Sequence, residues 1–230
     1  MKERIGLNSF ALKIIACISM FIDHLRYSIP GTPMFMSYIG RLAFPIFAFQ
    51  ISEGYIHTKN IKKYLIRLGI FGLVSQIPFS LYFKTSDLNV LFTLFTGLLC
   101  IFIFDKLKEK WKNTSLFISL PIIIFIAYLA EYFNFDYGFY GVTIIVLFYI
   151  FKENKIIASI AFIFATFIFT MDQYRFGGVV STTTIGLFIC TSLGIIPYLL
   201  YNGKQGYKSK YLIYLFYPCH LMLLYIFTAL

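Results

Sequence analysis

Apolar runs of membrane-spanning length recur along nearly the whole chain, and no other feature limits its fold so sharply. A helix rising ~1.5 Å per residue needs about 20 apolar residues to cross ~30 Å of hydrocarbon. Segments suited to this occupy 10–29, 34–57, 63–83, 89–104, 114–134, 138–151, 155–171, 182–201 and 211–229. Between them lie stretches of turn chemistry: "IPGTP", "KTSDLN", "FDYG", "KENK" and "YNGKQG". The expectation is an all-α, polytopic transmembrane helical bundle of about nine spans (eight to ten), forming a single domain over residues 1–230. Charged residues are only 13% of the chain, against about 25% in soluble domains. The hydrophobic share is 59%, more than one soluble core of this size could hide. Cys17, Cys100, Cys190 and Cys219 lie in separate apolar runs without C-x-x-C spacing, so they read as small core residues. The first run has no small-residue cleavage site and carries charges, which argues against a cleaved signal.

Lys and Arg set the expected orientation. With the N-terminus cytoplasmic, sixteen of the twenty fall at inner ends, from Lys2, Arg4 and Lys13 to Lys204, Lys208 and Lys210. Arg26, Lys84 and Arg175 fall at outer ends, and Arg41 lies inside the second span. This follows the positive-inside rule. The net charge of +10 is then a topology signal with some affinity for anionic membrane lipid. Nucleic acid is not an expected partner, because the charge sits at membrane edges.

Against that apolar background, the polar residues inside the spans stand out. "IACISMFIDHLRYSI" carries Asp23, His24 and Arg26 in the first span. Charge near the bilayer centre costs at least ~2.5–3.5 kcal/mol on insertion scales. His24 falls in the outer third of its span, and Arg41, in "SYIGRLAFPIFAFQISEGYIHTKN", falls at a comparable depth. Lys13 precedes His24 by eleven residues, about three turns, and projects from nearly the same face. Asp23 can orient the imidazole or reach a neighbouring helix. Ser37 and Arg41 share one helix face, as do Glu53 and His57, and Pro45 should kink the helix between the two pairs. In "YLFYPCHL" the last span places Tyr217 and His220 one turn apart near mid-membrane. Asn89 joins Glu131, Asp136, Asp172 and Arg175 toward the outer side.

Bland readings stand beside these. Arg26, Lys59, Asp136 and Arg175 suit interfacial snorkelling, and Glu53 with His57 suits a helix-end surface pair. Asp23, His24, Arg41 and His220 lie too deep for that, and need buried partners in a polar knot or a functional site. The three histidines lack H-x-x-H or H-E-x-x-H spacing, so no metal is expected. A His beside a carboxylate suits general-base work, and a buried Arg suits an anionic group or an oxyanion.

"LKIIACISMFIDHL", "GRLAFPIFAFQISEGYIHTKNIKKYLIRLGIFGLVSQIPF", "NVLFTLFTGLL", "YNGKQG" and "YLFYPCHLMLLYI" together resemble the TraX family of integral membrane proteins across essentially the whole chain. TraX of conjugative plasmids acetylates the N-terminus of pilin, and the family is similar to the acyltransferase-3 and heparan-glucosaminide acetyltransferase groups. The resemblance implies an acetyl-CoA donor, an amine or hydroxyl acceptor (a peptide N-terminus or an envelope glycan) and a place in a bacterial cytoplasmic membrane. The acyltransferase-3 pattern of an Arg followed after ten residues by a His falls here on Lys13 and His24, with Lys in the Arg position. By the same resemblance His24 is the catalytic base; the residues themselves offer Asp23 as the group that orients it. Arg41, Glu53 and His57 belong to a second-span motif, and Tyr217, Pro218 and His220 to a last-span motif; Lys13, Arg41, Glu53, His57, Asn89, Tyr217 and His220 are the expected substrate- and cofactor-binding residues. Lys62, Lys63, Lys106 and Lys108 offer charge to the phosphates of acetyl-CoA. Direct transfer and a ping-pong route through acetyl-His24 both satisfy the chemistry. A proton-coupled transporter would use the same Asp, His and Glu residues as a relay. No inverted repeat with matched broken helices supports it.

Overall fold

A computed structural model of the protein describes residues 6–173, 180–208 and 211–229. Lys2, Arg4, Arg175 and Lys210 therefore lie outside the described residues. Helix occupies every one of the nine apolar segments: α1 (Ser9–Ser28), α2 (Phe35–Gly40), α3 (Ala43–His57), α4 (Ile61–Phe83), α5 (Val90–Trp111), α6 (Ser115–Tyr132), α7 (Gly138–Ile150), α8 (Lys155–Gln173), α9 (Thr182–Leu193), α10 (Ile195–Leu199) and α11 (Leu212–Ala229). Among the described residues, five stretches are long and apolar enough to cross a membrane: α4, α5, α6, α8 and the Thr182–Leu199 run of α9 and α10. Their outward faces are apolar. On α4, Ile66, Ile70, Leu73 and Ile77 repeat at helical spacing and are each more than half exposed. A soluble helix would put polar residues there, whereas lipid favours this stripe. The protein is a multi-pass helical membrane protein.

The second segment differs from the expected kinked helix. Its break lies at Arg41–Leu42, between α2 and α3, and Pro45 sits in the first turn of α3. Proline is tolerated there, because a first-turn N–H has no helical partner to lose.

The chain divides into two compact units, one of residues up to Gln50 and from Glu153 onward, the other of residues 51–152. In the first, α1 packs on α2 and α11, α9 packs on α2, and α8 packs on α9 and α10. The buried stripe of α1 is Ser9, Leu12, Ala16, Ser19 and Met20; that of α11 includes Tyr214, Tyr217, His220, Leu221 and Leu224. Both follow the three-and-four spacing of one helical face. The start of α1 is tied down by its own sequence and by the "YNGKQG" loop. Asn8 Oδ1 accepts from Ala11 N at 2.9 Å, Ser9 N donates to Lys204 O at 2.9 Å, and Phe10 N donates to Gln205 O at 3.1 Å. These bonds satisfy amides that a helix leaves without internal partners. Ser9 Oγ and Gln50 Oε1, 2.9 Å apart, pin α3 to the same end. Lys155 Nζ donates to the carbonyls of Leu199 and Tyr201 at 3.2 and 3.1 Å, covering the C-terminal end of α10.

The other unit is built around α5, which packs on α4, α6 and α7. Buried positions make up 56% of its apolar stretch, against 28% in α4 and in α6, so α5 is the central helix. Asn89 caps it, accepting from Leu91 N at 3.0 Å. Hydroxyls along the helices of both units bond back to carbonyls one turn earlier, as Thr143 Oγ1 does to Phe139 O at 2.8 Å on α7 and, in the first unit, Thr170 Oγ1 to Thr166 O at 2.7 Å on α8. That removes the cost of carrying a bare hydroxyl in hydrocarbon.

Candidate active site

Successive residues on a helix diverge by about 100°, so Asp23 and His24 serve different neighbours although adjacent in sequence. His24 faces α11. Its Nδ1 lies 2.8 Å from His220 Nε2, with ring centroids 5.1 Å apart and planes 12° apart. A nitrogen contact that short within that centroid distance sets the rings edge to edge in nearly one plane, the geometry of an in-plane N–H···N hydrogen bond. The other nitrogen of His220, Nδ1, lies 2.7 Å from the Phe216 carbonyl oxygen one turn earlier. The Phe216 ring lies 4.5 Å from that of His220 and 11° from parallel, Phe21 approaches at 6.4 Å, and Tyr217 at 5.7 Å. His220 and Tyr217 are buried. Pro218 lies in the same turn, where it offers no N–H to the Tyr214 carbonyl.

Asp23 faces α2. A Cβ placed on Gly40 would come within 2.2 Å of Asp23 Cβ, so glycine is what lets the two helices approach here. The Asp23 carboxylate lies beside the buried hydroxyl of Ser37 and within electrostatic reach of Arg41 and Arg26. Arg26 Nη1 donates to Ser37 Oγ at 3.2 Å. Arg41, at the break after α2, has its backbone N–H on Ser37 O at 3.1 Å and lies within electrostatic reach of His24 as well. One arginine thus connects the carboxylate cluster with the imidazole pair.

These positions decide two expectations. Of the two readings of Asp23, the structure gives the one in which it reaches a neighbouring helix: His220 holds the Nδ1 of His24, while the carboxylate lies toward Ser37 and the arginines. Arg26 is not a snorkelling interfacial residue but half-buried in the same cluster.

The remaining candidates separate from this group or support it. Lys13 is half-buried on α1, beside Cys17, and the unbroken helix keeps it on nearly the face of His24. Glu53 and His57 form a 2.9 Å pair at the end of α3 with the His57 side chain 66% exposed, which is the helix-end reading. Asn89 is fully buried and its amide is engaged: Nδ2 donates to Gly72 O and to Gln76 Oε1, both at 2.8 Å, while Oδ1 caps α5. It fastens α4 to α5 rather than offering a binding group.

Two participants escaped the sequence reading. Phe216 acts through its carbonyl, which no side-chain pattern announces. Asp105 accepts from Tyr55 Oη at 2.9 Å and from Tyr149 Oη at 2.6 Å within the second unit. The available signal was an Asp closing the apolar run "LLCIFIFD". Among the described residues no three His, Cys, Asp or Glu side chains group as metal ligands would.

Against known proteins, the family model described as TraX protein matches residues 9–228. The chain is 31% identical over 248 aligned residues to a protein of Dichelobacter nodosus named "Probable fimbrial assembly protein FimC, serogroup H1", with 97% of each chain covered. It is 28% identical over 146 residues to an uncharacterised protein of Rickettsia prowazekii (strain Madrid E), covering 63% of this chain and 56% of that one. No solved structure matches it.

Proposed function

Because this chain belongs to the TraX family, we propose that it is a membrane-embedded acetyltransferase that moves an acetyl group from acetyl-CoA to an amine or hydroxyl. The observation that carries this reading is the pairing of half-buried His24 with buried His220, with Arg41 in electrostatic reach of His24. A neutral imidazole nitrogen carries a lone pair that can take up a proton, which suits the role of general base. In the proposed reaction His24 takes a proton from the acceptor as its nitrogen or oxygen bonds to the acetyl carbon. The carbonyl becomes a tetrahedral oxyanion that the Arg41 charge stabilises. Collapse breaks the carbon–sulfur bond, and the departing thiolate takes the proton that His24 holds. The acetylated acceptor and CoA leave, and His24 returns to its starting state. Lys13, in the place of the Arg of the acyltransferase-3 pattern, supplies a cation on the same helical face.

A cytoplasmic membrane supplies acetyl-CoA on one face, and the charge asymmetry of the chain supports that orientation. The fimbrial assembly name of the Dichelobacter nodosus relative makes a pilin-type peptide N-terminus the first acceptor to test, ahead of an envelope glycan. The test is purified protein in bilayer discs with acetyl-CoA labelled in the acetyl group, scored for CoA thiol release and for label on peptide or glycan. Release that requires both an acceptor and His24 supports the acetyltransferase. Solute uptake into liposomes without CoA release would replace it by a proton-coupled transporter.

A further inference from the structure

The hydrogen bonds around His220 form a directed chain, and its direction bears on which atom of His24 can accept a proton. A carbonyl oxygen has no proton to give, so at the 2.7 Å contact with Phe216 the proton belongs to Nδ1 of His220. A neutral imidazole protonated at Nδ1 presents a bare Nε2, which can only accept. The 2.8 Å contact with His24 then requires that His24 Nδ1 be the donor. Neutral His24 is thereby fixed as its Nδ1–H form, with its lone pair on Nε2. Among the described residues no carboxylate bonds to His220; its partners are backbone groups of Phe216 and Tyr217 and the His24 ring.

We infer that His220 is a positioning residue: anchored on the Phe216 carbonyl, it holds His24 in the tautomer whose Nε2 receives the acceptor's proton. The consequence for catalysis rests on the acetyltransferase reading above, whereas the tautomer does not. His220 stands where an acidic residue stands in a Ser-His-Asp arrangement, binding the Nδ1–H that faces away from the chemistry. It differs in being uncharged. When Nε2 takes a proton, the Nδ1–H···Nε2 bond to His220 becomes charge-assisted and strengthens. The proton goes no further, because the next acceptor along the chain is an amide carbonyl. The packing supports an orienting role. Phe216 lies nearly parallel to the His220 ring, and Phe21 and Tyr217 pack against it, leaving one ring plane that suits both hydrogen bonds.

The experiment is nitrogen-15 NMR of the full chain in lipid bilayers with ring-labelled histidine. Only three histidines are present, and removing the exposed one as His57→Gln leaves two to assign. The expected spectrum has His24 protonated at Nδ1 and bare at Nε2. His220→Gln should preserve that pattern, since an amide can accept from His24 through oxygen and donate to Phe216 O through nitrogen. His220→Phe should let His24 mix both tautomers. In acetyl transfer, His220→Phe should lower kcat by about 10²-fold with KM little changed, a loss within the range of general-base catalysis. His220→Gln should restore most of it. A proton on His24 Nε2 in the unsubstituted protein overturns the inference, as does a His220→Phe protein with unchanged tautomer and kcat. If no transfer is found while the Nδ1–H form is present, the acetyltransferase reading falls and the tautomer assignment stands.

Discussion

Each unit of the protein holds a half-buried carboxylate, and the two are treated in opposite ways. Asp105 has both oxygens occupied, by phenol hydroxyls at 2.9 and 2.6 Å, with the two tyrosine rings edge to face at 5.1 Å. Asp23 is met by Ser37 and the arginines, yet its Oδ1 and Arg26 Nε are buried with no hydrogen-bond partner among the described residues. Buried polar groups in a purely structural cluster are ordinarily satisfied, because each unmet one costs about 1–3 kcal/mol. The comparison therefore separates a closed lock around Asp105 from an incompletely bonded cluster beside the His24–His220 pair.

The sharpest test of that division is His24→Ala. If His24 is the base, turnover should fall by about 10²–10⁴-fold or more, while the purified protein still binds CoA in a calorimetric titration. An active His24→Ala protein would reduce the α1–α11 contact to packing and leave neither unit with an assigned chemistry. Asp105→Ala should do the reverse. It leaves two phenols without their acceptor, at about 1–3 kcal/mol for each buried donor. The expected outcome is a lower Tm in detergent with kcat per folded molecule unchanged, and Asp105→Asn, which keeps one acceptor oxygen, should fall between. A selective loss of kcat at full Tm would mean that the Asp105 cluster also takes part in turnover.

Gly40→Ala probes how closely α1 must approach α2. The added methyl meets Asp23 at 2.2 Å, so Asp23 or a helix must move, at a cost of about 1–3 kcal/mol for overpacking. Both Tm and kcat should fall. Gly69→Ala is the matched control, since its nearest neighbour is a Phe95 ring atom at 3.8 Å and alanine favours helix. Equal effects from the two substitutions would show that Gly40 serves helix packing in general rather than the placing of Asp23.

Much of this was legible in the chain, and the remainder was hidden for physical reasons. Apolar runs and turn residues mark where helix forms, since backbone amides in hydrocarbon have no other partner. They did not reveal the break at Arg41–Leu42, because the more visible signal, Pro45, is harmless in a first turn. His24 and His220 stood out as polar residues in apolar helices, but residues 196 apart carry no register, and depth along a helix says nothing of azimuth. Adjacency in sequence suggested Asp23 as the partner of His24, and helical geometry turned it away. Asp105 was obscured by its position just before the lysines of "DKLKEKWK", where it passes for an interfacial residue.

The smallest expected effect belongs to His57, and it bears most directly on whether chemistry is confined to one unit. The resemblance to the family places Glu53 and His57 in a functional second-span motif. The structure makes them an i,i+4 pair at a helix end, with the two side chains 17% and 66% exposed. Exposed pairs of this kind contribute ~0–1 kcal/mol, because water and salt screen the charges and ordering the side chains costs entropy. His57→Gln retains a donor for Glu53 and removes the titrating ring. If the pair only finishes α3, Tm should barely move, and kcat/KM should change by less than about fivefold, the equivalent of ~1 kcal/mol. Raising salt should change the wild-type protein no more than the variant. Glu53→Gln should behave alike, since it removes the same pair from the other side. A loss of about 10²-fold in kcat for His57→Gln, at unchanged Tm, would instead make this exposed imidazole a proton carrier in turnover. The division between a reactive cluster and a structural lock would then fail at α3, the helix that contributes residues to both units.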